Sequence, residues 1–289
     1  SCIMRRFWLQ NELGERLDLT GNYETSGMFL ASPTGLGFEY NDTFQTVKRG
    51  FYKASYRSQK QNAIGGTLIF LDPAYPKYQQ FVNFVERAER LFFVYAPQST
   101  EYYCQVTMGK MEKTQLTTQE ASLQCTVSFV PHTMWYTLDD VTLNFGVGNI
   151  VSRYPDRYDQ DARYGSHGQG IVKVQTRGHI EAALKIITKG AMVNPEVKLI
   201  GISTGKERGT CLINKTFSAN EGFVLCTKYQ DSYVRVLRDD AESEDLIDSV
   251  DENTDVFVHV PMDEDCYVIV TGGESIDISG YLYDYYRSV

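Results

Sequence analysis

Residues 91–110, LFFVYAPQSTEYYCQVTMGK, and residues 121–130, ASLQCTVSFV, decide the fold class. Apolar side chains recur at every second position in both, as Tyr102, Cys104, Val106 and Met108, and as Leu123, Cys125, Val127 and Phe129. A period of two marks a half-buried strand, because successive Cβ atoms leave opposite faces of the pleat. Toward the N-terminus the same short apolar runs, bounded by turn residues, occupy 38–47, 51–59, 66–71 and 91–95. One segment breaks the pattern. Tyr75, Tyr78, Phe81, Val82, Val85 and Ala88 recur at helical spacing behind Asp72-Pro73, which predicts one helix at about residues 74–89.

Toward the C-terminus the pattern fades over 137–170, where Asn144, Gly146, Gly148 and Asn149 precede a Tyr-, Asp-, Arg- and Gly-rich stretch ending at Ser166-His167-Gly168. Strand patterns resume at 171–175, 181–188, 196–202, 223–228, 233–237, 255–260, 266–271 and 276–285. Short strands with no helical period predict a β-sandwich. The expected organisation is mainly β, with an N-terminal domain at 4–136, a linker region at 137–170 and a C-terminal domain at 171–289. Ser1, Cys2 and Ile3 precede Met4 and read as a cloning remnant, with Met4 the expected start.

Composition supports this division. The 289 residues are 42% hydrophobic and 22% charged, ordinary for a globular chain, and their 20 Tyr and 15 Phe against 2 Trp favour pleated surfaces. The net charge of −9 is unevenly held: residues 1–136 carry 13 Lys and Arg against 12 Asp and Glu, leaving 15 against 25 for the rest. An acidic C-terminal half argues against a phosphate-backbone partner, so no nucleic acid is expected. No apolar run approaches the roughly 18 residues of a membrane-spanning helix and none opens the chain as a signal, so neither a membrane nor export is expected. The six cysteines lack metal or redox spacing and read as reduced thiols, with no bridge expected between Cys104 and Cys125.

Few motifs point to chemistry. Gly201-Ile202-Ser203-Thr204-Gly205-Lys206 is one residue short of a phosphate-binding loop, with Glu207 where a magnesium-binding hydroxyl belongs, and reads as a hairpin turn. Gly146 and Gly148 have Val151 in place of a third glycine. His132, His167, His179 and His259 are far apart in sequence, and His259 is expected to face solvent from a strand. Residues 239–255 hold nine carboxylates and no Lys or Arg, but Val256 and Met262 replace the glycine and glutamate a calcium loop needs. An exposed acidic loop, interrupted by one buried strand at Leu246-Ile247 and serving as an electrostatic docking surface, is expected. Replacing Glu242, Glu244 and Asp251 with Ser should then leave the melting temperature nearly unchanged. No nucleophile is tied to a histidine, so no catalytic residue, metal ligand or cofactor is expected.

A series of motifs carries a resemblance. Pro33-Thr34-Gly35-Leu36-Gly37-Phe38, Gly65-Gly66-Thr67-Leu68-Ile69-Phe70, the helical Tyr78-Gln79-Gln80-Phe81-Val82-Asn83-Phe84, Lys113 and Ser128-Phe129 to Met134-Trp135-Tyr136 follow in order. Gly178-His179, Ala182-Ala183, Ile186, Gly190, Asn194-Pro195, Leu246-Ile247-Asp248 and Tyr281 to Tyr285 continue it. The series resembles the distal tail protein family of long-tailed bacteriophages across nearly the whole chain. That resemblance implies an N-terminal split barrel that forms a hexameric ring, and a galectin-like C-terminal β-sandwich. It implies a structural virion protein at the tail tip, assembled in the bacterial cytoplasm. The implied partners are further copies of the chain, the tail tube protein, a tail-tip or tail-associated protein and a receptor-binding protein. The near-neutral N-terminal half is also the half whose copies repel one another least.

A carbohydrate-binding role stands as the alternative, with Tyr281, Tyr283 and Tyr285 on one strand face as its candidates and packing as their other use. Trp8 and Trp135 read as packing residues of the N-terminal domain.

Overall fold

The structure, a computed structural model, describes residues 5–21, 26–114, 122–142, 146–147 and 170–289. Cys2, His167 and most of the 137–170 region lie outside the described residues. The chain divides into two compact units, Ser1–Tyr136 with Tyr286–Val289, and Thr137–Tyr285.

The first unit contains β1 (Arg6–Asn11), β2 (Arg16–Asp18), β3 (Met28–Thr34), β4 (Tyr40–Val47), β5 (Phe51–Gln59), β6 (Ile64–Leu71), helix α1 (Ala74–Arg87), β7 (Leu91–Ala96), β8 (Tyr102–Lys113), β9 (Ser122–Pro131) and the start of β10 (Trp135–Asp140). An antiparallel sheet runs β2-β1-β7-β8-β9-β6-β3 and curls on itself. Among the described residues its two ends meet only at the bridge between Thr20 and Phe29, and no ladder closes a barrel. Alternation fills the interior: Phe7 and Leu9 from β1, Phe93 from β7 and Cys125, Val127 and Phe129 from β9 are all buried. Phe93 lies at the centre, 5.6 Å from the Phe129 ring and 6.2 Å from that of Trp135. Helix α1 closes the core by setting Phe81 5.9 Å from Phe70, with Tyr78, Val82, Val85 and Ala88 on the same side as the helical spacing predicts, whereas Tyr75 is exposed and Ala74 is buried in its place.

The second unit contains β11 (Gly146–Val147), β12 (Gly170–Val174), β13 (Ala183–Lys189), β14 (Met192–Val193), β15 (Glu196–Gly201), β16 (Glu207–Leu212), β17 (Thr216–Phe217), β18 (Glu221–Lys228), β19 (Asp231–Arg238), β20 (Ala241–Asp245), β21 (Cys266–Thr271) and β22 (Asp277–Tyr286). One sheet runs β22-β13-β18-β19-β20 and the other β11-β12-β21-β15-β16. Leu184, Leu225 and Val234 from the first meet Val197, Leu199 and Val268 from the second in one core. The mainly β architecture with one helix is therefore as expected.

Three local expectations are corrected. Residues 255–260 form no strand, because side chains take the edge donors of β16 that a neighbouring strand would use. Thr210 N–H donates to the Asp255 carboxylate at 3.4 Å and Leu212 N–H to Thr254 Oγ1 at 3.3 Å. Only one bridge, Ala182 with Val260, remains.

The acidic run is not a free loop. Asp239 and Asp240 both hold positive φ, 50° and 61°, the conformation of a tight hairpin turn, so β20 folds back along β19. Part of its charge is compensated: Lys185 meets Glu242 at 3.1 Å, Arg235 meets Glu242 at 3.4 Å and Lys189 meets Asp240 at 2.7 Å. The expected buried strand at Leu246-Ile247 is instead a buried Leu246 followed by a 3-10 turn at Ile247–Ser249.

His259 does not face solvent. It stacks on Tyr229 with ring centroids 4.6 Å apart and bonds the Thr227 carbonyl through Nε2 at 2.8 Å.

Candidate assembly surface

Strands β4 and β5 make a hairpin apart from both sheets; among the described residues they pair only with each other. Every residue of β4 after Tyr40 is exposed, including Phe44 at 58% and Val47 at 42%, and Tyr56 on β5 is 66% exposed. Tyr56 lies opposite Thr43, and Phe44 is the next residue along β4, so the two aromatics leave opposite faces of the ribbon. An isolated two-stranded ribbon is marginal in water, and exposed aromatic side chains mark interaction surfaces. Among the described residues this arm has two open edges, and each face carries one exposed aromatic side chain. Sequence patterning finds both strands; it cannot find that no third strand joins them.

The root of the arm is well built. Lys60 closes it by donating its backbone N–H to the Glu39 carbonyl at 2.7 Å and pairing with the Glu39 carboxylate at 3.1 Å. Tyr40 is the centre of this root: the Arg57 guanidinium lies 4.0 Å over its ring, Phe38 meets its edge at 5.5 Å and Arg287 Nη1 donates to its hydroxyl at 3.1 Å. Arg57 also pairs with Asp42 at 3.4 Å.

Elsewhere the residues that drew chemical interest have structural partners. The turn that resembles a phosphate-binding loop connects β15 to β16 and holds an internal anion. Glu264 accepts from Ser203 Oγ at 2.7 Å, from Thr204 Oγ1 at 3.0 Å and from Arg208 Nη1 at 2.6 Å. The Ser203 hydroxyl leads these donors in holding its carboxyl at about 2, far below the usual range. Gly201 makes room for it, since a Cβ there would collide with the Glu264 carboxylate.

Tyr283 and Tyr285 are buried at 8% and 3% exposure and offer no sugar platform. Trp135 packs in the core, whereas Trp8 is half-buried between the guanidiniums of Arg6 and Arg16, at 5.0 and 5.2 Å. Cys104, Cys125, Cys211, Cys226 and Cys266 are free buried thiols, and burial pushes Cys104 up to about 12. Thr107 Oγ1 lies 2.9 Å from His132 Nε2. Among the described residues no group of three or more His, Cys, Asp or Glu side chains could hold a metal ion.

Residues 6–132 match the profile of a family described as distal tail protein, N-terminal domain. Over these residues the chain carries the N-terminal domain of the distal tail protein family. The match spans nearly all of the first unit, arm included. No curated protein matches the chain. Solved structures extend the likeness to the second unit. A chain of the phage P2 baseplate in its activated conformation with Ca aligns over 99% of this chain and 100% of its own length, at 14% identity and TM-score 0.69. The SPP1 Dit protein, described as a paradigm of the hub adsorption apparatus in phages infecting Gram-positive bacteria, aligns over 96% and 98%, at 10% identity and TM-score 0.57. At such identities the likeness is one of fold.

Proposed function

We propose that the chain is a structural, non-enzymatic virion protein that forms a ring, most simply a hexamer, at the distal end of a phage tail. The ring joins the tail tube protein to the tail-tip or tail-associated protein and the receptor-binding protein. It is built in the bacterial cytoplasm and ends in the virion. The first unit makes the ring and the second is a galectin-like sandwich.

The observation that carries this reading is the arm, with Phe44 and Tyr56 exposed on opposite faces of an otherwise unpartnered ribbon. Repeated contacts between identical copies satisfy such an element, because each copy supplies an arm and a surface that receives one. The near balance of charge over residues 1–136, 13 basic against 12 acidic, lets those copies approach. The match of residues 6–132 to the distal tail protein N-terminal domain and the fold shared with baseplate and hub chains agree with it.

Native mass spectrometry of the full chain tests the proposal. A single closed oligomer, with hexamer the expected mass, supports it; a chain that stays monomeric at every concentration contradicts it. A glycan array should give no saturable binding, and saturable binding would favour the carbohydrate-binding role instead.

A further inference from the structure

The last four residues, Tyr286–Val289, belong to the first unit, and they lie against the root of the arm. Tyr286 meets Tyr102 edge to face with centroids 5.3 Å apart, and Val289 packs against the buried core of that unit. Between these two anchors stands Arg287. Its guanidinium donates to Tyr40 Oη at 3.1 Å, and its carbonyl accepts from Gln59 Nε2 at 3.4 Å. Tyr40 and Gln59 are the first register pair of the hairpin, so one residue of the C-terminal segment bonds both strands at the point where the arm leaves the unit.

We propose that Tyr286–Val289 acts as a clasp, fixing the base pair of the arm and with it the direction in which the arm extends. The physical need is clear. A two-stranded ribbon held only by its own ladder bends easily at its root, and an arm that must reach a partner binds better when its direction is set beforehand. The anchors suit this role, since Tyr286 and Val289 use apolar contact to hold the segment while Arg287 supplies directional bonds to side chains of both strands. Arg57 over the Tyr40 ring completes the arrangement, so the Tyr40 side chain is held on its face and at its hydroxyl. A fragment ending at residue 136 would lack the clasp. The clasp itself stands on this geometry, and only its consequence for assembly rests on the reading of the arm given above.

Hydrogen exchange followed by mass spectrometry on the full chain, dilute enough to be monomeric, tests it in wild type, Arg287→Ala and Tyr40→Phe. Arm amides in 41–58 should exchange at least about tenfold faster in both variants, while strands β6 to β9 keep their protection. Unchanged arm exchange in the variants, or a wild-type arm with no protection to lose, overturns the proposal. Equal acceleration of arm and core also overturns it, since that is general destabilisation rather than a clasp. Tyr40→Phe removes only a hydroxyl, so it remains decisive even where Arg287→Ala fails to fold. Because the readout comes from the monomer, its failure is distinct from failure to form a ring.

Discussion

The arm formed by β4 and β5 stands apart from the sheets, whereas β20 is the exposed edge strand of one, and the two treat their free edges in opposite ways. Strand β20 reads Ala-Glu-Ser-Glu-Asp, is exposed throughout, and sets its carboxylates against Lys185, Arg235 and Arg238. Charged side chains along an edge strand discourage pairing with another chain. The arm instead exposes Phe44, Val47 and Tyr56, and its described ion pairs gather near its root. One ribbon is closed to partners by its own chemistry and the other is left open. The difference supports the proposal that the first unit is the one that assembles.

The comparison can be strained from the stability side. Strand β20 rests on a sandwich core, so emptying that core should unsettle it. Phe223 is fully buried, and Phe223→Ala should cost about 3–5 kcal/mol, read as a fall in the denaturation midpoint. A loss below about 1 kcal/mol would mean that the core does not support the hairpin as described.

Carboxylate chemistry sharpens the same contrast. Asp284, on β22, is 1% exposed; its Oδ1 accepts from Thr176 Oγ1 at 2.9 Å and from the Arg177 N–H at 3.1 Å, while Oδ2 has no partner among the described residues. Burial raises its pKa above the ordinary 3.8, so the folded state favours the proton. Ionisation therefore costs stability at neutral pH, and that cost disappears as pH falls through the raised folded value toward the unfolded one. Asp284→Asn should raise stability by about 1 kcal/mol near neutrality, with the gain vanishing in melts near pH 4. A gain that persists in acid would assign the effect to packing.

Glu264 shows the opposite sign. Its folded pKa is depressed to about 2 from 4.5, so its contribution is present above the unfolded value and lost as pH falls through the folded one. Glu264→Gln should melt earlier than wild type near neutrality, and the gap should narrow in acid.

Much of this is legible in the sequence, for reasons that show where it is not. Strands whose faces alternate, such as β8 and β9, declare themselves through Cys104 and Val106 or Cys125 and Val127, because one face is buried and the other is not. The helix is visible for the same reason at its own period. The turn after Gly201 is legible as a turn because it is one residue short of a phosphate-binding loop and has Glu207 where a magnesium-binding hydroxyl belongs, although nothing in the sequence says that Glu264, from a distant segment, fills it. Residues 255–260 mislead because alternating valines read alike whether the backbone donors beside them go to a strand or to the side chains of Asp255 and Thr254. The strand β20 is hidden by composition, since its residues have low strand propensity and only the positive φ of Asp239 and Asp240 reverses the chain. The contact of Arg287 with Tyr40 spans 247 positions, and no local pattern encodes it.

The edge protection of β20 predicts a smaller effect. Glu242→Gln removes a partner from both Lys185 and Arg235, and should cost less than about 1 kcal/mol because the pairs remain accessible to water. Glu242→Val with Glu244→Val should in addition produce association that grows with concentration, by sedimentation velocity, as the edge loses its charges. A double variant that stays as it was would show that the charges do not guard that edge.

The central claim is that the arm, not the sandwich, assembles the protein, and Phe44→Ser with Tyr56→Ser tests it in the full chain by native mass spectrometry. These side chains are exposed, so the stability of the monomer should shift by no more than about 0.5 kcal/mol. The account predicts that the closed oligomer formed by the wild type is replaced by monomer in the folded double variant. An oligomer of the same mass and stability in both proteins would contradict it.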